Sequence, residues 1–181
     1  LEELDLSGNG SVMPAVLTAV AHNCPSMKSL TCNSGVTERV LLALVKGCPR
    51  LESLDIYRAD GVTPAALRAM ADGLPKLNRL SVCYCGIAPP EILEIARITT
   101  LQTLFLMEAT VTEASLLALA EGLPELRKLI MYESVGVTEA SIRVLAQRCK
   151  SLIYVDIDEC GLRDEDVAAL RRDFPQVRFY H

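Results

Sequence analysis

The chain has 181 residues, half of them apolar, with 18 Lys and Arg against 23 Asp and Glu and a formal net charge of −5. That length suggests one domain, and cations scattered through an acidic chain argue against nucleic-acid binding by phosphate neutralisation. No apolar run approaches the roughly 18 to 20 residues of a membrane span, and the N-terminus carries no basic-then-apolar leader.

From the N-terminus, short apolar triplets recur: Leu1-Leu4-Leu6, Met27-Leu30-Cys32, Leu51-Leu54-Ile56, Leu77-Leu80-Val82, Leu101-Leu104-Leu106, Leu126-Leu129-Met131 and Leu152-Val155-Ile157, then a truncated Val177-Tyr180. Their first members lie 24 to 26 residues apart. A fixed spacing in this range predicts a solenoid, since no single unit can bury its own apolar face. Residues 1–181 therefore form one array of about seven units and a terminal half-unit. Leu1 already lies in a strand, and terminal repeats need a polar cap. The expectation is that the array is the C-terminal part of a longer protein or that a partner covers that end.

Within a unit, the L-x-x-L-x-L pattern sends its last two apolar residues to one face of a strand. Three residues on comes a slot for a tight turn: Asn9, Ala59, Cys85, Ala109, Ser134 and Cys160. An apolar-Thr pair follows as Val36-Thr37, Val62-Thr63, Val111-Thr112 and Val137-Thr138. Thr is a good N-cap, because its hydroxyl accepts from an unpaired first-turn N–H. Glu38, Glu113 and Glu139 then place negative charge at the helix start, and Pro64 takes that place after Thr63. Helical apolar spacing continues, for example Leu116, Leu119, Ala120 and Leu123, and Gly47, Gly73 and Gly122, each followed by Pro two residues on, end three helices. The fourth unit, with Ala88-Pro89-Pro90, predicts a short or irregular helix at Glu91–Arg97. The fold class is therefore α/β, with a parallel sheet on the concave side and helices on the convex side. In the final half-unit, Phe174 and Tyr180 are expected to cover the last core layer.

Seven cysteines follow the repeat rather than a metal spacing: Cys24, Cys48 and Cys149 close helices, while Cys85 and Cys160 fill the turn slot. A disulfide or zinc site between neighbouring repeats stays open, but no C-x-x-C is present, and buried reduced thiols suit the pattern better. An odd count argues for a reducing, intracellular compartment, cytoplasmic or nuclear, with an organelle open.

Cys24-Pro25, Cys48-Pro49, the Cys85 and Cys160 slots and the Val-Thr-Glu helix starts resemble the cysteine-containing leucine-rich repeat of F-box leucine-rich-repeat proteins. The resemblance covers essentially the whole chain. It implies a leucine-rich-repeat solenoid that recognises a protein substrate for a ubiquitin ligase, the F-box lying in a separate domain upstream. Ala59, Ala109 and Ser134 stand where that family has Cys. Similar repeats also occur in assembly factors and subunits of large complexes.

Strand residues between the inward positions should face outward on the concave surface. They form columns, one of which runs Asp5, Thr31, Asp55, Ser81, Phe105, Ile130, Asp156. Five of the eight aromatics, Tyr57, Tyr84, Phe105, Tyr132 and Tyr154, fall on this face. With Cys83, Met107 and Ile130 they predict an apolar stripe across the third to seventh units, and Arg58 and Arg79 flank it where they could pair with a partner's carboxylates. Aromatics also simply suit strands. A large exposed apolar patch nevertheless marks an interaction site. Asp156, Asp158 and Glu159 would favour a basic segment or water. No catalytic constellation, phosphate loop or metal motif is recognised, and neither His22 nor His181 has a nucleophile nearby in the repeat register. The sequence thus predicts a non-catalytic protein-binding module without cofactor or metal.

Overall fold

The computed structural model describes residues 1–8 and 13–181. Strand and helix alternate throughout: β1 (Glu3–Asp5), α1 (Pro14–Asn23), β2 (Ser29–Cys32), α2 (Glu38–Gly47), β3 (Ser53–Tyr57), α3 (Pro64–Gly73), β4 (Arg79–Cys83), α4 (Pro89–Ile95), β5 (Thr103–Phe105), α5 (Glu113–Gly122), β6 (Lys128–Ile130), α6 (Glu139–Arg148), β7 (Tyr154–Asp156), α7 (Asp164–Asp173) and β8 (Arg178–Tyr180). The strands form one parallel sheet in sequence order, β1 to β8. Each strand and each of the first six helices packs on its counterpart in the next repeat. Strands stack about 4.8 Å apart whereas packed helices need about 8–10 Å, so the stack bends toward its sheet. This is the expected α/β solenoid. The turn slot expected at Asn9 lies outside the described residues.

Leu30, Leu54, Leu80, Leu104, Leu129 and Val155 form an inward ladder, each 0% exposed. Their register is continuous from strand to strand. Burying each such side chain is worth roughly 1.5–3 kcal/mol relative to exposure, so the period itself supplies the core.

All four threonine caps form. Thr37, Thr63, Thr112 and Thr138 accept from the N–H groups of Val40, Ala66, Ser115 and Ser141. In α5 and α6 the buried Ser115 and Ser141 hydroxyls reciprocate by accepting from the Thr112 and Thr138 N–H groups. The fourth helix differs in position from its expected Glu91–Arg97 bounds. α4 starts at Pro89 and ends at Ile95, because two prolines without N–H groups fit the first two helical positions. The Glu91 carboxylate accepts from the Ala88 N–H at 3.1 Å, which closes the start.

Gly47 and Gly122 do end helices, but not by adopting a left-handed cap. A Cβ on Gly47 would overlap the Ala21 carbonyl, and one on Gly122 the Ala96 carbonyl. Glycine is required by the close approach of successive helix ends.

The final half-unit corrects one expectation. Val155 pairs with Phe179 and Asp156 with Tyr180, so Val177 and Phe179 are buried while Tyr180 is 48% exposed. The apolar spacing there is V-x-F rather than L-x-x-L, which shifts the inward position by one residue. Phe174 is buried as expected.

The cysteines are all free thiols. Those in the turn slot and at helix ends do more than fill space. Cys160 Sγ lies 2.9 Å from the Met131 carbonyl, and the Ser134 hydroxyl donates to the Leu106 carbonyl at 2.8 Å. Cys85 Sγ lies 3.9 Å from the Ile56 carbonyl. Each slot thus reaches back to the last inward strand residue of the preceding repeat. Cys48 and Cys149 reach in the same way to carbonyls at the preceding helix end. Burial pushes the Cys32 thiol up to about 12 and those of Cys85 and Cys160 to about 11, which makes them poor nucleophiles.

Candidate functional site

Parallel pairing brings the outward residues into the expected columns. Ser29, Ser53, Arg79, Thr103, Lys128, Tyr154 and Arg178 lie in one row across the sheet. Two residues along, Thr31, Asp55, Ser81, Phe105, Ile130, Asp156 and Tyr180 form the next. Tyr180, assigned by its spacing to the core, instead joins this face. All five tyrosines and Phe105 therefore lie on the sheet side, whereas Phe174 and Phe179 are buried in the core.

Beyond the strands, Arg58, Tyr84, Glu108, Glu133 and Glu159 occupy equivalent turn positions and all are left-handed, with φ between 52° and 57°. The first four N–H groups donate to the carbonyls of Cys83, Met107, Tyr132 and Asp158 at 3.0–3.1 Å. The parallel ladder thus continues one residue past the strands and fixes a rim of side chains along their C-terminal ends.

The candidate residues separate into two groups. At the rim, Tyr57 and Tyr84 pack with ring centroids 4.9 Å apart and planes tilted by 57°. The exposed Arg58 guanidinium lies 5.3 Å from the Tyr57 ring and 5.7 Å from the Tyr84 ring. Tyr84 Oη donates to Glu133 at 3.4 Å. Desolvation, and then the negative charge of Glu133, push the Tyr84 hydroxyl up to about 12. In the sheet, Arg79 pairs with Asp55 at 3.4 Å and lies 4.4 Å from the centre of the Phe105 ring. Arg79 is therefore already engaged within the face, while Arg58 forms no ion pair among the described residues.

Phe105, Met107, Ile130, Tyr132 and Tyr154 are partly exposed on this face. Cys83 departs from the expected stripe: it is 4% exposed, with Sγ 3.2 Å from the Ser81 hydroxyl. Burial pushes its thiol up. The stripe therefore loses its β4 member, while Tyr84 still reaches from the Tyr57–Arg58 group to Glu133 of the sixth unit.

The burial of two carboxylates on this face was not foreseen from the sequence. Asp55 Oδ1 is buried without a hydrogen-bond partner, its other oxygen being held by Arg79. Asp156, in the same row, is held above the usual carboxylate range by burial. Nearby acidic groups act on the tyrosines too: Glu133 raises Tyr132, and burial followed by Asp156 raises Tyr154. Hydroxyl and carboxylate were both visible as residue types, but only the register placed them together. Among the described residues no group of three His, Cys, Asp or Glu side chains could hold a metal ion, and no helix is long and apolar enough to cross a membrane.

These features define an α/β repeat solenoid with an aromatic and acidic sheet face. A Bacteroides fragilis protein solved by a structural genomics consortium is similar in structure, with a TM-score of 0.53 at 18% identity over 77% of this chain. The chain spans 43% of that protein's length. At that identity the likeness concerns the fold alone. No family model matches the chain, and no curated protein is similar to it in sequence.

Proposed function

We propose that this chain is a non-catalytic module that binds a partner protein on its sheet face. One observation carries the reading. Six aromatic side chains and Met107 and Ile130 are carried on the side of the sheet that the helices leave uncovered. Interfaces favour aromatics, Met and Arg, and a rigid sheet presents them with little ordering cost. The free thiols fit a reducing intracellular compartment.

The cysteine-and-proline repeat signature gives this reading a specific form, the substrate-recognition arm of an F-box ubiquitin ligase. The alternative form is a structural subunit or assembly factor within a large complex, since similar repeats also occur in such proteins.

A photo-crosslinking residue placed at Tyr132 in cells tests the face. The expected adduct is a discrete partner, lost when Phe105→Ala is added, with no equivalent adduct from Arg148 on the helix side. Adducts only from Arg148 would overturn the proposal. Recovery of an adaptor and a cullin with the chain supports the ligase form, whereas a stoichiometric large assembly supports the structural one.

A further inference from the structure

We infer that the segment recognised by this face is cationic, a Lys- or Arg-bearing stretch of the partner protein laid across the strand ends of the fifth to seventh units. This rests on the partner-binding reading and adds the chemistry of what binds. The starting point is the apolar surface of Phe105, Met107, Ile130 and Tyr132, which is partly exposed and lies on the neighbouring strands β5 and β6 and the turns that follow them. The charge that frames it decides the occupant.

Along the rim beside that surface stand Glu108, Glu133, Asp158 and Glu159, with Asp156 in the row below. None of the five forms an ion pair among the described residues. The cations of the same face do not neutralise them. Arg79 is held by Asp55 and Phe105. Lys128 and Arg178 lie in the row two residues below that of Ile130 and Asp156, on the side away from the rim, and neither forms an ion pair among the described residues. Arg58 sits at the other end of the rim over two tyrosines.

An anionic segment would meet unpaired carboxylates beside its apolar anchors and be repelled. A cationic one would gain carboxylate partners, and its ammonium or guanidinium groups could also lie over Tyr132 or Phe105. The order Arg58, Tyr84, Glu108, Glu133, Glu159 along the rim also sets direction, with the segment's positive charges toward β7.

Selection of random displayed peptides on the full chain tests the inference. The recovered pool is expected to be enriched in Lys and Arg and depleted in Asp and Glu. The triple variant Glu108→Gln, Glu133→Gln, Glu159→Gln should lose that bias and bind a selected peptide roughly tenfold more weakly. A charge-matched control, Glu113→Gln, Glu125→Gln, Glu165→Gln, should keep it, which separates rim recognition from attraction to net charge. A neutral or acidic pool, or a basic bias that survives the rim variant, overturns the inference. An apolar pool without charge bias that is lost in Phe105→Ala with Tyr132→Ala leaves the binding face standing and removes only its cationic occupant. No enrichment at all removes both. A salt-sensitive dimer in sedimentation that the rim variant abolishes would assign the face to a second copy, and this too overturns the inference.

Discussion

The helix side and the sheet side of this solenoid both carry charges of either sign but pair them to different extents. On the helix side, cations bridge repeats: Arg68 and Arg97 share Glu94, Arg97 also reaches Asp72, Arg143 joins Glu139 to Asp173, and Arg148 meets Glu121. On the sheet side one pair, Arg79 with Asp55, accompanies several unpaired carboxylates. Each exposed helix pair adds little stability alone, yet these pairs tie successive helices together across the repeats. The sheet face retains both apolar surface and unbalanced charge, the combination that a partner can use.

The sharpest way to break this contrast is within β5, where adjacent residues face opposite sides. Leu104→Ala should destabilise by about 2–5 kcal/mol in urea unfolding, because it leaves a cavity in the inward ladder. Phe105→Ala with Tyr132→Ala should leave the melting temperature nearly unchanged while weakening partner binding. A melting temperature that fell with affinity would mark the two aromatics as core and erase the distinction.

A smaller effect is expected at the turn slot. The Ser134 hydroxyl donates to the Leu106 carbonyl and accepts from the Ala109 N–H at 3.1 Å. Ser134→Ala would leave a buried N–H unpaired and cost about 1–3 kcal/mol. Ser134→Cys should recover part of that loss, since Cys160 already bonds the Met131 carbonyl in the equivalent slot.

The rim sharpens the comparison in the other direction. Glu133 is held at φ 57°, a conformation that costs a non-glycine residue roughly 1 kcal/mol. Glu133→Gly should raise stability by up to about 1 kcal/mol while reducing affinity for a basic peptide. A loss of stability instead would mean that its contact with Tyr84 outweighs the backbone strain.

The smallest change concerns pH. Burial raises Asp156 in the folded state, so the unfolded chain gives up that proton more readily. Its ionisation therefore weakens folding at neutral pH, and the penalty fades as the pH falls through the raised folded-state pKa and is gone below the ordinary aspartate value of 3.8. Asp156→Asn should raise the melting temperature at neutral pH and lose that advantage in acid. A constant difference across the titration would show that charge is not the cause.

The period, the caps and the columns of outward residues were legible because each depends on spacing within one repeat. Val-Thr-Glu starts a helix for local reasons, and Leu104 points inward wherever its strand pairs. Tyr180, Cys83 and the helix-end glycines were not legible in the same way. Tyr180 took its side from the pairing of β8 with β7. Cys83 is covered although its position alternates outward. Gly47 is needed because Ala21 comes close from the preceding repeat.

By itself, then, the order of residues determined a stack of parallel rungs, most of the side chains that enter the core, and where the threonine-capped helices begin. Local propensity and a repeated apolar interval are enough for that, since every unit solves the same packing problem against its neighbours. The stacking of rungs alone decided that Arg79 spends its charge on Asp55 and Phe105 while Glu108, Glu133 and Glu159 do not find a cation. Pairing of charges depends on distances between residues some 25 positions apart, and those distances exist only once the repeats are superposed.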